Sequence, residues 1–275
     1  MQLLLAPTVL LLAVVLGSSV HAEPAAVSSC APADQGCELA SRFENAQRYL
    51  AGRPGTTGFV LRDRLTGARY RNADAATPIW TASTIKLAMV ADLLLREESG
   101  AVRLTATDRQ QMTDMLRRSD NAAADALWSR YGGPSGVFNA DFVRYGMSTV
   151  QPQAGFSDVY PYWGFQKATA DDFDAIMNVV LTRLSPTNTA AVVAEMQRVV
   201  DDQRWGVWGA GADMTPGSKN GWSSEAGGWV VNSVGFAGPQ QRYTLAIMNN
   251  LADEGGYDDG VETTTRLSQI LLGAI

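Results

Sequence analysis

The run from Leu87 through Ala88, Met89, Val90, Ala91, Asp92, Leu93 and Leu94 to Leu95 is apolar nearly all round. A soluble chain holds such a stretch only as a helix buried on every side. The run is opened by Thr81-Ala82-Ser83-Thr84-Ile85-Lys86, and helical spacing sets Ser83 and Lys86 one turn apart on one face, where hydroxyl and amine can touch. Burial and the positive end of the helix dipole both disfavour the ammonium form. A neutral amine beside a serine is a base for its proton and makes the oxygen a nucleophile. Of 22 basic residues only Lys86, Lys167 and Lys219 are lysines; the rest are arginines, which do not deprotonate.

The single histidine, His21, lies in an N-terminal stretch that reads as removable. Met1 to Leu16 form a short apolar core, followed by Gly17-Ser18-Ser19-Val20-His21-Ala22. That is the pattern of a secretory signal cut after Ala22, although the usual early positive charge is missing. The run is shorter than the ~20 residues of a membrane span, so a secreted or periplasmic protein is expected. Lipoprotein anchoring at Cys30, after Val27-Ser28-Ser29, is the alternative. A mature chain without histidine cannot run a Ser-His-Asp or Cys-His mechanism and lacks the usual ligands of catalytic zinc; neither metal nor organic cofactor is expected. In an oxidising compartment Cys30 and Cys37 are expected to pair as a disulfide closing a small loop. A formal charge of −6 and a pI near 4.9 argue against nucleic acid or anionic membrane as main partner. A monomer is the default.

Residues 23–37 read as a leader and 38–275 as the folded domain. Helical spacing covers about 38–50. Gly58–Arg62 and Ala68–Arg71 read as a hairpin around Asp63-Arg64-Leu65-Thr66-Gly67. Helical signals then fill most of the chain: 83 to about 98, 108–116, 122–128 and, from the capping pattern Thr169-Ala170-Asp171-Asp172, on to Leu184. Residues 186–200 continue helical. Strand signals return at 228–236 and 242–249, flanking Gly238-Pro239, and 261–272 is a final helix. Strands near both chain ends around a helical middle predict an α/β (α+β) fold: an antiparallel sheet flanked by helices from both ends, with a helical lobe of about 83–205 inserted.

Three short motifs follow one another: Ser83-Thr84-Ile85-Lys86, Ser119-Asp120-Asn121 and Lys219-Asn220-Gly221. In this order, and with Gly132-Gly133-Pro134 after the second, the chain from about Gly58 to Leu272 resembles the penicillin-recognising serine hydrolases, most closely the class A β-lactamase-like branch. The resemblance implies that Ser83 is acylated while Lys86 takes or relays its proton. Ser119 and Lys219 would pass a proton to the departing nitrogen. Asn121 would bind the substrate's side-chain amide and orient Lys86, and the backbone amides of Ser83 and Trp222 would form the oxyanion hole. Asp120 reads as a buttress of its loop or a cap of the following helix. Trp163 and Trp222 read equally as packing or as an aromatic wall of the cleft.

The departures are as informative. β-Lactamases of this branch activate the deacylating water with a glutamate between the second and third motifs, and here no glutamate occurs between Glu98 and Glu195. Asp158 is the nearest spare carboxylate; Asp171 and Asp172 read as helix-start acids. Asn220 stands where a hydroxyl residue is usual, so Arg242 is considered as a compensating partner for a substrate carboxylate, with a surface arginine as the other reading. Ser83 and Ser119 are 36 positions apart, short for this branch, which implies a lost segment and a more open cleft. The expected activity is acylation of Ser83 by a β-lactam or an acyl-D-Ala-D-Ala-like amide, with slow or absent turnover. The alternatives are a D,D-carboxypeptidase or transpeptidase of peptidoglycan and a non-hydrolytic protein that binds β-lactams or peptidoglycan.

Overall fold

Strand β1 (Thr56–Asp63) alternates its side chains across a sheet with helices on both faces. Phe59 and Leu61 point one way, into a core with Leu245, Ile247, Leu267 and Leu271. Val60 points the other way, into the larger core that contains Val234, Phe236, Ala246 and Met248. Both faces are apolar because both are covered, which is what a period of two demands of a central strand. The computed structural model describes residues 35–224 and 227–273. The expected signal (1–22), most of the leader and Cys30 lie outside the described residues.

The sheet is fully antiparallel. β2 (Arg69–Arg71) forms the hairpin with β1, and β6 (Gly217–Ser223), β7 (Trp229–Ala237) and β8 (Tyr243–Ala252) complete the order β2-β1-β8-β7-β6. The two ends of the chain thus meet in the β1–β8 ladder, from Thr56↔Asn250 to Asp63↔Tyr243. α1 (Gln35–Leu50, which holds Cys37) and α8 (Tyr257–Leu272) share the first core. α2 (Ile85–Glu98) and α6 (Ala170–Thr182) share the second.

The helical middle also comprises α3 (Ala106–Arg117), α4 (Asn121–Arg130), α5 (Val137–Arg144) and α7 (Pro186–Met196). Thr169 and Asp172 form a reciprocal capping box at the start of α6, as the capping pattern predicts. Asp171 binds Arg69 and Arg71 across to the sheet. α5 carries too few apolar repeats for the sequence to announce it; Phe138 on it stacks on Trp128 of α4 at 4.9 Å between ring centroids. β3 (Ile79–Trp80), β4 (Gln151–Pro152) and β5 (Gln166–Ala168) make a second small sheet, order β3-β5-β4. These strands, two or three residues long, carry no legible periodicity.

Among the described residues no helix is long and apolar enough to cross a membrane.

Candidate active site

α2 is buried from Ile85 to Leu94. Each of its large apolar side chains contributes about 2 kcal/mol on burial, and Ile85, Leu87, Met89, Val90, Leu93 and Leu94 are all at 2 % exposure or less. Their sum exceeds the cost of forcing the Lys86 amine into the same environment, on the order of 5 kcal/mol for a pKa lowered from 10.5 to about 7. The helix therefore forms with its lysine buried. Burial is the main cause of that lowering, opposed by the negative charges of Asp120 and Asp125.

The Lys86 Nζ lies 3.0 Å from Ser83 Oγ. It also reaches the Ser119 carbonyl at 2.6 Å, Ser119 Oγ at 3.4 Å and Asn121 Oδ1 at 2.6 Å. From the opposite side Lys219 Nζ lies 2.9 Å from Ser119 Oγ and 2.6 Å from the Asn220 carbonyl. Lys219 is fully buried, and burial followed by the nearby charge of Lys86 holds its pKa well below the ordinary lysine value. A chain of exchangeable protons thus runs from Ser83 through Lys86 and Ser119 to Lys219.

Local backbone sets this arrangement. Ala82 and Ser119 adopt positive φ, 44° and 58°, which costs a non-glycine residue roughly 1 kcal/mol; Ala82 adjoins Ser83, and Ser119 touches Lys86. The segment before Ser83 is tied to the sheet by Asn232 on β7, whose Nδ2 donates to the Trp80 and Thr81 carbonyls at 2.8 and 3.3 Å. Asp120 caps α4, accepting from Ala123 N at 2.8 Å, the role its position suggests. Gly221 brings β6 against the Ser83 turn. A Cβ there would fall 2.8 Å from Ser83 N and 2.6 Å from Thr84 N, so only glycine allows the approach. The strand carrying the Trp222 amide consequently runs beside Ser83.

Strand alternation separates the remaining residues of the third motif. Lys219 and Gly221 face the cleft; Asn220 and Trp222 face the α8 side. The Asn220 amide donates to the Gln203 and Trp205 carbonyls at 2.8 and 3.4 Å and accepts from Ser233 Oγ at 2.7 Å. At 1 % exposure this side chain is a core crosslink and does not offer itself to a substrate carboxylate. The Trp222 ring packs against Trp205 and Tyr257, so it is no wall of the cleft. Arg242 stands away from the cleft as well. It precedes β8, two strands from β6, and binds the buried Asp63 through Nε at 3.1 Å and Nη2 at 2.7 Å. It lines a separate cavity of about 760 Å³ with Glu38, Arg42 and Arg64, away from Ser83.

Asp158 is exposed, and no hydrogen bond joins it to Ser83, Lys86 or Ser119. Trp163 occupies the site instead: its ring centroid is 4.6 Å from Lys86 Nζ. Its Nε1 donates to Asp125 Oδ1 at 2.7 Å, and the Tyr162 hydroxyl donates to the same oxygen at 2.7 Å. Asp125 went unnoticed in the sequence, although it lies four residues after Asn121 and so on the same face of α4.

Residues 104–275 match the sequence pattern of the family described as "Beta-lactamase enzyme family", a match that begins after Ser83 and Lys86. The chain is 30 % identical over 221 residues to the Mycobacterium tuberculosis protein named "Putative lipoprotein LppW", covering 76 % of this chain and 68 % of that one. Among solved structures, an ancestral (GNCA) class A β-lactamase superposes with a TM-score of 0.69 at 17 % identity, covering 84 % of this chain and 98 % of that one. A β-lactamase from Xanthomonas campestris pv. campestris gives 0.68 at 20 %, covering 85 % and 96 %. The fold, a five-stranded antiparallel sheet with helices, is that of class A β-lactamases, and with the pattern matching well over half of its length the chain belongs to the β-lactamase enzyme family.

Proposed function

We propose that this protein is an exported serine acyltransferring hydrolase whose Ser83 is acylated by β-lactams or acyl-D-Ala-D-Ala-like amides and whose acyl-enzyme is resolved slowly. The observation that carries this reading is the 3.0 Å contact between Lys86 Nζ and Ser83 Oγ, with an amine whose pKa is about 7. Ser83 Oγ bonds to the amide carbon as its proton passes to Lys86. The tetrahedral oxygen is received by the amides of Ser83 and Trp222. The carbon–nitrogen bond then breaks as the Ser119 hydroxyl gives its proton to the leaving nitrogen, and Ser119 is reprotonated from the lysines that flank it. Asn121, whose Oδ1 is held by Lys86, keeps its amide nitrogen for the acyl side chain.

The residue set supports acylation better than hydrolysis, because no described carboxylate hydrogen-bonds to Ser83 or Lys86. The apolar N-terminal run supports export, and the lipoprotein name of the mycobacterial relative is consistent with an exported protein. Intact-mass spectrometry of the purified protein with benzylpenicillin tests the reading. A single adduct, lost in Ser83→Ala, is expected; rapid nitrocefin hydrolysis would contradict slow resolution, and an unlabelled wild type would point to a non-catalytic binder. Release of D-Ala from muropeptides would identify the peptidase form of the same chemistry.

A further inference from the structure

An ester on Ser83 is hydrolysed only if a water reaches its carbonyl carbon while hydrogen-bonded to a base. The nearest base is Lys86. Its Nζ already faces Ser83 Oγ, the Ser119 carbonyl, Ser119 Oγ and Asn121 Oδ1, and a further side is covered by the Trp163 ring at 4.6 Å. Trp163 is only 4 % exposed, and an indole face excludes water while still attracting the amine's charged form. The ring is locked: Asp125 Oδ1 takes the indole N–H at 2.7 Å and is itself held by the Tyr162 hydroxyl at 2.7 Å.

We propose that Trp163, clamped by Asp125, keeps water off the Lys86 side of acyl-Ser83 and so sets the lifetime of the acyl-enzyme. This rests on the acyl-serine reading above. Withdrawing the ring opens a place for a water bound to Lys86. In the hydrolysis that follows, the water oxygen bonds to the acyl carbon, one of its protons passes to Lys86, and the bond to Ser83 Oγ breaks. Ser83 Oγ then recovers a proton from Lys86. Asp125 touches neither nucleophile nor base and is a positioning residue.

The test is a time course of the benzylpenicillin adduct by intact mass on wild type, Trp163→Ala, Trp163→Phe and Asp125→Ala, with acylation and deacylation rates measured separately. Trp163→Ala and Asp125→Ala are expected to shorten the adduct half-life by about tenfold or more while the acylation rate stays within about threefold. Trp163→Phe keeps an apolar face but has no N–H for Asp125 to hold, and is expected to fall between the wild type and Trp163→Ala. Asp125 is exposed, so its variant decides the matter if Trp163→Ala fails to fold. Unchanged half-lives in variants that still acylate overturn the inference alone. A wild type that forms no adduct overturns the acyl-serine reading and this inference with it.

Discussion

The Lys219 amine lies 2.9 Å from the hydroxyl of Ser119, 100 positions earlier in the chain. One residue comes from the edge strand of the sheet and the other from the turn before α4, and Lys86 meets the same serine from α2. Two amines can share so small a space only because burial, and for Lys219 the charge of Lys86, discourages protonation.

The first consequence is a pH dependence. In the proposed acylation Lys86 takes the Ser83 proton only when neutral, so the rate should be flat above pH 7 and fall tenfold per unit below it, given a pKa of about 7. Labelling with fluorescent penicillin between pH 5 and 8.5 reads this directly. Lys86→Arg, whose guanidinium stays charged, should lose at least about 10²-fold in acylation. A rate indifferent to pH between 6 and 8 would remove Lys86 as the base.

Arg242 is expected to matter for stability and not for substrate. Arg242→Ala leaves the buried Asp63 without its guanidinium and should cost about 3 kcal/mol at pH 7, with the acylation rate within about twofold of wild type. Asp63 has a folded pKa held below the ordinary carboxylate value, chiefly by the Arg242 hydrogen bond. Its stabilisation is therefore present above the unfolded pKa and disappears as pH falls through the folded one. Chemical denaturation at pH 7 and at pH 3 should show the wild-type advantage shrinking with acid. A selective loss of penicillin acylation would restore Arg242 to the site.

Restoring a hydroxyl in the third motif should not improve the protein. Asn220→Thr removes the donor that satisfies the buried Gln203 and Trp205 carbonyls and should cost about 2 kcal/mol, seen as a lower urea midpoint. Unaltered stability with tighter penicillin binding would mean that position 220 faces the substrate after all.

The start of α6 offers a control remote from chemistry. Asp172 accepts from Thr169 N and Oγ1 at 2.9 Å each and from Thr149 N at 3.2 Å. Asp172→Ala should lower stability by about 2 kcal/mol in a thermal melt and leave the adduct yield untouched.

The sequence by itself determined the contact of Ser83 with Lys86 and the fold class. Ser83 and Lys86 are one helical turn apart, and the apolar run behind them demands a buried helix whatever the rest of the chain does. Strand signals near both chain ends already implied one sheet built from both of them, and the capping letters at 169–172 implied the start of α6. These are local facts, written at spacings of two, three or four residues. Only the tertiary structure decided the rest. It turned Asn220 and Trp222 away from the cleft because strand alternation assigns faces only once the register of β6 on β7 is known. It sent Arg242 to Asp63, a partner 179 positions distant. It set Trp163 over Lys86 through Asp125. Those outcomes depend on which surfaces meet when the helical lobe closes on the sheet, and such meetings leave no short-range signature in a single chain of letters.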